Sequence, residues 1–212
     1  MKKQKSIILM ADIINSRKGR QSLLMKKFKG IVDEITIQNK SNFHSPPTIT
    51  LGDEFQAIAT SVESCCEVLI NMEELILEKG VGFKLRYVIY EGQIDTKINK
   101  KIAYGMLGDG LTKARVRMND LKTSKNRFEF TLDDTPKMKI LNDIYWIMAS
   151  QIDAWKPKDY HLISLFIKEH SYKEIANIME KDNSLIWRRK KSLDMEQYQR
   201  IKNIIHTINL YE

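Results

Sequence analysis

Apolar residues in this chain follow two alternating periods, and the order of those periods restricts the fold more than any other feature. Short apolar runs, alternating or uninterrupted, predict strands, and apolar residues three and four apart predict helices. The predicted strands cover residues 6–14, 48–51, 55–59 and 83–90, and the predicted helices cover residues 21–38 and 62–79. The order along the chain is therefore strand, helix, two strands, helix, strand.

This order is close to the βαββαβ arrangement of ferredoxin-like and palm domains, so the predicted fold class is α+β. In that arrangement strand one lies centrally beside strand three, and we expect the helices to pack on one face of the sheet. Gly52-Asp53-Glu54 predicts a tight hairpin between strands two and three. Later segments predict a further strand at 94–103, a glycine-rich loop at 105–110 followed by a basic helix, a strand at 128–132 and a helix at 137–154.

The last quarter of the chain predicts a helix-turn-helix. Ser171 and Glu174 have the spacing of a capping box, in which a serine caps the helix and a glutamate bonds back three residues later. A turn at 181–183 and a basic helix at 185–193 follow. We expect an all-α domain whose second helix enters the major groove of DNA. The residues expected to contact DNA are Ser184, Trp187, Arg188, Arg189 and Lys191.

Two features of the basic helix leave other interpretations open. Lys190 stands four residues after Ile186, where such helices often place a core leucine, and we expect its aliphatic stem to pack there. Trp187 is bulky for a groove-facing position, and the alternative is that it anchors the helix to the terminal helix at 198–210. The competing hypothesis for the whole segment is a three-helix bundle used for dimerisation, with a solvated basic face.

Composition limits the class of protein. The net charge of +8 favours an anionic partner such as nucleic acid or a nucleotide. No apolar run has the length of a membrane span, and the adjacent Cys65 and Cys66 fit neither a disulfide framework nor a metal-ligand set. We therefore expect a cytoplasmic protein with a palm domain at 1–132, a connecting helix at 133–155 and a helix-turn-helix domain at 156–212.

Three carboxylates fall at the ends of predicted strands. Asp12 ends the first strand, and Asp53 and Glu54 occupy the hairpin. Because strand one is expected beside strand three, these carboxylates are predicted to meet at one edge of the sheet and to bind Mg²⁺ or Mn²⁺ with a triphosphate. The alternative is structural, with Asp53 as an ordinary turn residue and Asp12 as a solvated strand end.

The residues around these acids resemble known motifs. Ala11 to Ile14 resembles the Ala-Asp-Ile-Val start of class III nucleotidyl cyclases. Thr50 to Ala57 resembles their second metal motif and also the Gly-Gly-Asp-Glu-Phe turn of diguanylate cyclases. Gly108 to Leu111 is similar to the Gly-Asp-Ala-Val that opens a cyclase helix.

The whole set most closely resembles the SatD family, whose members pair such a domain with a C-terminal helix-turn-helix. The strings that carry the resemblance are Ala11 to Arg17, Leu51 to Gln56 and Gly108 to Arg115. The resemblance implies a purine nucleotide bound in a homodimer. It implies metal on Asp12, Asp53 and Glu54, nucleotide contacts from Asn15, Ser16, Gly108 and Thr112, and catalytic positive charge from Arg115 or Arg117.

Two positions depart from the cyclase pattern. Thr112 stands where cyclases carry the asparagine that orients the ribose, and Val116 stands where they carry the transition-state arginine. The expected function is therefore a transcriptional regulator or sensor with a nucleotide- and metal-binding domain. The alternative is an active metal-dependent nucleotidyl cyclase or nucleotidyltransferase whose C-terminal bundle binds protein.

Overall fold

A five-stranded sheet forms the centre of the N-terminal part of the computed structural model. The structure describes residues 5–16, 21–168 and 170–210, and Arg17 lies outside these residues. The strands are β1 (Lys5–Ile13), β2 (Phe43–Ile49), β3 (Glu54–Ala59), β4 (Leu85–Gln93) and β5 (Phe128–Thr131). The helices are α1 (Gln21–Gln38), α2 (Val62–Lys79), α3 (Asp109–Thr123), α4 (Thr135–Ala154), α5 (Tyr160–Ile167), α6 (Tyr172–Ile178), α7 (Asn183–Ser192) and α8 (Met195–Leu210).

The strand order is β2-β3-β1-β4-β5, which confirms the ferredoxin-like arrangement. β1 is central and pairs antiparallel with both β3 and β4. The hairpin pair β2–β3 is also antiparallel, and β5 adds a parallel edge strand beside β4. The class is α+β, as predicted, and the central position of β1 brings Asp12 beside the start of β3.

Both faces of the sheet are covered, which corrects the expectation of helices on one face. Odd-numbered residues of β1, such as Leu9 and Ala11, pack with the apolar sides of α1, α2 and α4. Even-numbered residues, such as Ile8 and Met10, pack in a second cluster under α3. Successive side chains of a strand point to opposite faces, so an unbroken apolar strand needs cover on both sides.

The segment 94–103 forms neither strand nor helix, contrary to the sequence prediction. It lies as a loop across the α3 side of the sheet, held by side chains instead of a strand ladder. Thr48 Oγ1 accepts a hydrogen bond from Ala103 N at 2.7 Å, and Gln56 Nε2 donates to Ala103 O at 3.0 Å. These side chains satisfy backbone groups that would otherwise require a neighbouring strand.

The C-terminal helices share one buried core with α2 and α4. Leu162, Ile186 and Tyr198 belong to the same apolar cluster as the inner face of the sheet. Trp155 Nε1 donates to Leu193 O at 2.9 Å, and its ring lies 5.1 Å from that of Tyr198. The domain boundaries at residues 132 and 155 remain predictions.

The capping box at the start of α6 is confirmed, with both the Ser171 and the Glu174 bonds formed. Trp187 is 45% exposed, which argues against the alternative that it anchors α7 to the terminal helix. Ile186 takes the buried position of α7 instead.

None of the helices within the described ranges has both the length and the apolar character needed to cross a membrane.

Candidate functional site

Three charged residues form a row across the sheet where β1 ends. The strand register places Asp12 opposite Glu54 on β3 and opposite Arg86 on β4. Alternate side chains of a strand point to the same face, so Asp12 and Arg86 lie on the α3 face together with Met10 and Val88 of the second core. Glu54, which stands opposite Asp12, lies on the same face. Arg86 Nη1 lies 3.3 Å from Asp12 Oδ2. Asp12 and Glu54 therefore lie side by side on the α3 face where β1 ends, and the metal role predicted for them remains a prediction.

Helix α3 adds two cations to this row. Lys122 Nζ lies 3.0 Å from Asp12 Oδ1 and 3.6 Å from Glu54 Oε2. Arg115 Nη1 donates to Glu54 Oε1. Arg115 and Lys122 are two helical turns apart and therefore lie on the same face of α3. Both carboxylates are thus paired with cations of the same chain, and we call these five side chains the α3 charge cluster.

The carboxylates are buried and their cations reach solvent. Asp12 is 4% exposed and Glu54 is 1% exposed, whereas the side chains of Arg115 and Lys122 are 33% and 38% exposed. A buried carboxylate without a partner is costly, so pairing is what permits these two at the sheet. Burial raises the pKa of the Asp12 carboxyl, and Lys122 partly opposes that rise.

Asp53 lies beside this cluster in the turn before β3. The Asp53 carboxylate contributes to the raised pKa of Asp12, which puts it within electrostatic reach. Its Oδ2 accepts a hydrogen bond from Ser16 Oγ at 2.5 Å, and its carbonyl accepts from Ile13 N at 2.9 Å. Asn15 has a φ of 58°, a left-handed conformation that asparagine tolerates better than most residues. The predicted neighbours Asn15, Ser16 and Asp53 therefore share one corner of the fold.

The other predicted nucleotide contacts lie at the opposite end of the sheet. A Cβ on Gly110 would lie 2.7 Å from the carbonyl carbon of Gly92, which pairs with Ser6 at the start of β1. Gly108 makes a similar close approach to Gln93 and Ile94. Close packing of α3 against β4 accounts for these glycines, and the nucleotide contacts of Gly108 and Thr112 remain a prediction.

Three side chains of α3 stand apart from the charge cluster. Thr112 Oγ1 donates to Gly108 O, at the N-cap of its own helix, at 3.5 Å. Arg117 lies 3.7 Å from Glu129 on β5, and Val116 is 53% exposed. Of the two arginines predicted to supply catalytic charge, only Arg115 reaches the carboxylates.

Sequence reasoning missed Arg86 and Lys122. Each had a signal: Lys122 follows Arg115 by seven residues on a basic helix, and Arg86 occupies an outward position of the strand beside β1. Neither signal identifies a partner without the register and the helix placement.

The charge cluster does not fit a bound metal ion in this arrangement. Among residues 5–16, 21–168 and 170–210 there is no group of three or more histidine, cysteine, aspartate or glutamate residues placed to hold one. Asp12 and Glu54 already accept protein cations, and Asp53 accepts Ser16. Mg²⁺ or Mn²⁺ would have to displace Arg115 and Lys122 to gain these oxygens.

A second charged surface lies on α7. Ser184, Trp187, Arg188 and Lys191 are exposed. Lys191 Nζ lies 4.0 Å above the Trp187 ring, and Arg188 Nε donates to Ser184 O at 3.3 Å. Arg189 differs from its neighbours because its Nη2 lies 2.6 Å from Asp159 Oδ1, on the side of α7 that faces the core.

Comparisons with known proteins give one family and several solved structures. A family model described as "SatD family" matches residues 6–209. A bacterial light-regulated adenylyl cyclase is 14% identical, with 62% of this chain and 77% of that chain covered and a TM-score of 0.42. The catalytic core of a rhodopsin-guanylyl cyclase with converted specificity, in complex with ATPalphaS, is 16% identical over 64% and 81%, with a TM-score of 0.37.

The guanylate cyclase domain of RhGC from Catenaria anguillulae, in complex with GTP, is 16% identical over 64% of this chain and 81% of that chain, with a TM-score of 0.38. Identity and TM-score are both low, so these likenesses do not extend to activity. Among proteins with curated descriptions, none matches this chain.

Proposed function

The chain belongs to the SatD family, and we propose that it is a DNA-binding regulator whose palm domain binds a purine nucleotide. The observation that carries the proposal is the composition of the outer face of α7. That face combines two cations, an aromatic ring and a serine on the second helix of a capped helix pair, with no acidic side chain among those four.

The helix pair has the parts that DNA binding needs. The capping box fixes the start of α6, and Ile175, Ala176 and Ile186 pack it against α7 and the core. Arg188 and Lys191 remain in solvent, where they can neutralise phosphates, and such contacts release counterions and weaken with salt. Ser184 and Trp187 lie near the helix start, from which base edges are read.

Arg189 has a different role in this proposal. Its ion pair with Asp159 fastens α7 to the turn before α5, so it supports the helix and contacts phosphate only if that pair opens. One such helix pair makes few contacts, so we propose that a homodimer engages two half-sites.

A mobility-shift assay tests the DNA-binding part of the proposal. Wild-type protein should shift genomic fragments at low salt, and Arg188→Ala with Lys191→Ala should remove the shift. The matched control removes two exposed lysines of α1, Lys26→Ala with Lys29→Ala, and should keep it. No shift by the wild-type protein, or equal loss in both double variants, would remove the DNA-binding proposal.

The nucleotide-binding part of the proposal rests on the α3 charge cluster. Arg115 and Lys122 present partly exposed cations at the end of the sheet, next to the Asn15–Ser16 turn whose amides are proposed to hold phosphate. Calorimetry with ATP and GTP, each with and without Mn²⁺, tests binding. Arg115→Gln should weaken it, and Arg117→Gln, outside the cluster, should not. An absence of binding heat with every nucleotide would overturn the nucleotide-binding part of the proposal and leave the DNA-binding part standing.

The second candidate is a metal-dependent nucleotidyl cyclase or nucleotidyltransferase. The observation that favours it is the co-location of carboxylates and phosphate-seeking cations, which phosphoryl chemistry combines. In that case Asp12, Asp53 and Glu54 would hold Mg²⁺ or Mn²⁺, which requires Arg115 and Lys122 to leave them. Chromatography after incubation with ATP or GTP and Mn²⁺ separates the two candidates, because a regulator returns the nucleotide unchanged.

A further inference from the structure

A cavity of about 640 Å³ lies among the C-terminal helices, between the end of α5, the inner flank of α7 and the first turns of α8. Its apolar wall includes Phe166, Met195 and Tyr198, which are at most 9% exposed. The volume lies within the range of about 300–1,000 Å³ that is usual for small-molecule sites.

The charged residues in the cavity wall are two cations and one acid. Lys190 enters it from α7 and Arg200 from α8, with His170 at the start of α6 nearby. Glu196 is the one acidic residue of the lining among the described residues. Within the part of the chain that the structure describes, neither Lys190 nor Arg200 has an ion pair or a side-chain hydrogen bond.

The position of Lys190 indicates that the cavity is suited to an anion. It follows the buried Ile186 by one helical turn, so the two side chains lie within about 40° of each other around α7. An apolar residue there would fill the space between α7 and α8. Lys190 is instead half-buried and has no ion pair among the described residues, so a bound anion would supply the counter-charge that the protein does not place against it.

We propose that this cavity binds a small organic anion, with a carboxylate or phosphate group between Lys190 and Arg200 and an apolar body against Phe166, Met195 and Tyr198. The ligand would bridge α7 and α8. Because α7 carries the proposed DNA-binding face, occupancy would also bias DNA binding. That consequence rests on the proposed function, whereas the site itself does not.

An NMR titration of the full chain with phenyl phosphate, in the absence of DNA, tests the site directly. Amide signals from residues 186–203 should shift and saturate. Lys190→Met and Arg200→Met should each weaken binding by about tenfold, the loss expected for one charge-assisted hydrogen bond of about 1.4 kcal/mol. The control Lys173→Met removes an exposed cation of α6 that does not line the cavity and should leave the affinity unchanged.

Benzyl alcohol, which has a similar apolar body without the charge, should produce no saturating shift. Arg200 is exposed, so Arg200→Met provides a folded variant even if Lys190→Met disturbs the helix pair. Unsaturable shifts, shifts centred elsewhere, or equal affinity in wild type and Arg200→Met would each overturn the proposal.

Discussion

Glu54 and Glu73 are each 1% exposed, and each is neutralised by an arginine that is distant in sequence. Glu54 meets Arg115 of α3, whose side chain is 33% exposed, and Glu73 of α2 meets Arg127, whose side chain is 5% exposed. Water and solutes can therefore reach the Arg115 guanidinium, whereas the Arg127 guanidinium is shielded from them. We expect the Glu73 pair to act in stability and the Glu54 pair to be open to exchange with ligands.

Arg127→Met should destabilise the protein strongly. Arg127 Nη2 contacts both Glu73 oxygens at 2.6 Å, Nη1 contacts Asp153 Oδ1 at 2.8 Å, and Nε donates to Leu85 O at 3.0 Å. Although burial opposes the charged form, Glu73 and Asp153 together raise the pKa of the guanidinium. Removing it leaves Glu73 buried without a cation, with only the Tyr87 hydroxyl still donating to it among the described residues. We expect a cost of about 3–5 kcal/mol in the free energy of unfolding, measured by urea denaturation.

The control for this prediction is an exposed pair. Lys29 and Asp33 lie 2.5 Å apart on the outer side of α1, with side chains 66% and 55% exposed. Lys29→Met should therefore change the free energy of unfolding by less than about 1 kcal/mol. Similar losses in Arg127→Met and Lys29→Met would show that the buried pair does not stabilise the fold in the way described.

Removal of the α3 cations should expose the Asp12 and Glu54 carboxylates to metal. We expect Mn²⁺ without nucleotide to bind wild-type protein weakly, because Arg115 and Lys122 compete for the same oxygens. Arg115→Gln with Lys122→Gln should tighten Mn²⁺ binding by about tenfold or more, since about 1.4 kcal/mol of competition is enough for that change. Electron paramagnetic resonance of free Mn²⁺ measures the bound fraction.

Arg117→Gln is the matched control, because Arg117 belongs to the same helix but pairs with Glu129. It should leave the bound Mn²⁺ fraction at the wild-type level. Tight Mn²⁺ binding by the wild-type protein alone would mean that the ion pairs open readily, and the exchange argument would then be wrong.

At the scale of elements, α3 is the part of the fold that brings the site together. It begins against the end of β4, where Gly92 and Gly110 allow the two backbones to approach, and it ends with Lys122 at Asp12. The glycines at one end of α3 therefore set where its cations lie at the other end. A shift of α3 away from the sheet would separate Arg115 and Lys122 from the carboxylates.

Gly110→Ala tests this packing. The added Cβ would lie 2.7 Å from the Gly92 carbonyl carbon and 2.8 Å from Gln93 N, both backbone atoms that cannot rotate away. We expect a loss of about 1–3 kcal/mol in the free energy of unfolding. Gly30→Ala in α1, where a Cβ would meet nothing within 4 Å, should instead be neutral or stabilising by up to about 1 kcal/mol. Equal stabilities of the two variants would contradict the close approach.

The elements were largely predictable from the sequence because their signals are local. The helix at 62–79 has its boundaries as predicted, with Ser61 as N-cap and Gly80 in the left-handed conformation at its end. The strand predicted at 94–103 failed because Thr48 and Gln56, distant in sequence, satisfy that segment through side chains. The acidic residues of the site were predictable because strand ends are local signals. Arg86 and Lys122 were not, because their partners depend on strand register and on the placement of α3.

At the scale of the whole molecule, the N-terminal and C-terminal parts are joined by polar contacts as well as by the shared core. Glu74 of α2 lies 2.8 Å from Lys202 Nζ and accepts from Tyr198 OH at 3.1 Å. Gln151 Nε2 of α4 donates to Asp194 O at 2.7 Å. These contacts connect α8 and the residue before it to α2 and α4, two of the three helices that cover one face of the sheet.

Ile163→Ala should show whether the two parts unfold together. Ile163 lies on α5, is fully buried, and belongs to the core shared with the sheet. Truncation should cost about 2–5 kcal/mol, and in a single cooperative unit this loss appears equally in β1 and α8. Hydrogen exchange measured by mass spectrometry along a urea series reports both peptides in one experiment. The exposed Leu185→Ala should change neither. If only α8 and its neighbours lose protection in Ile163→Ala, the C-terminal helices unfold independently, as the boundary predicted near residue 155 would require.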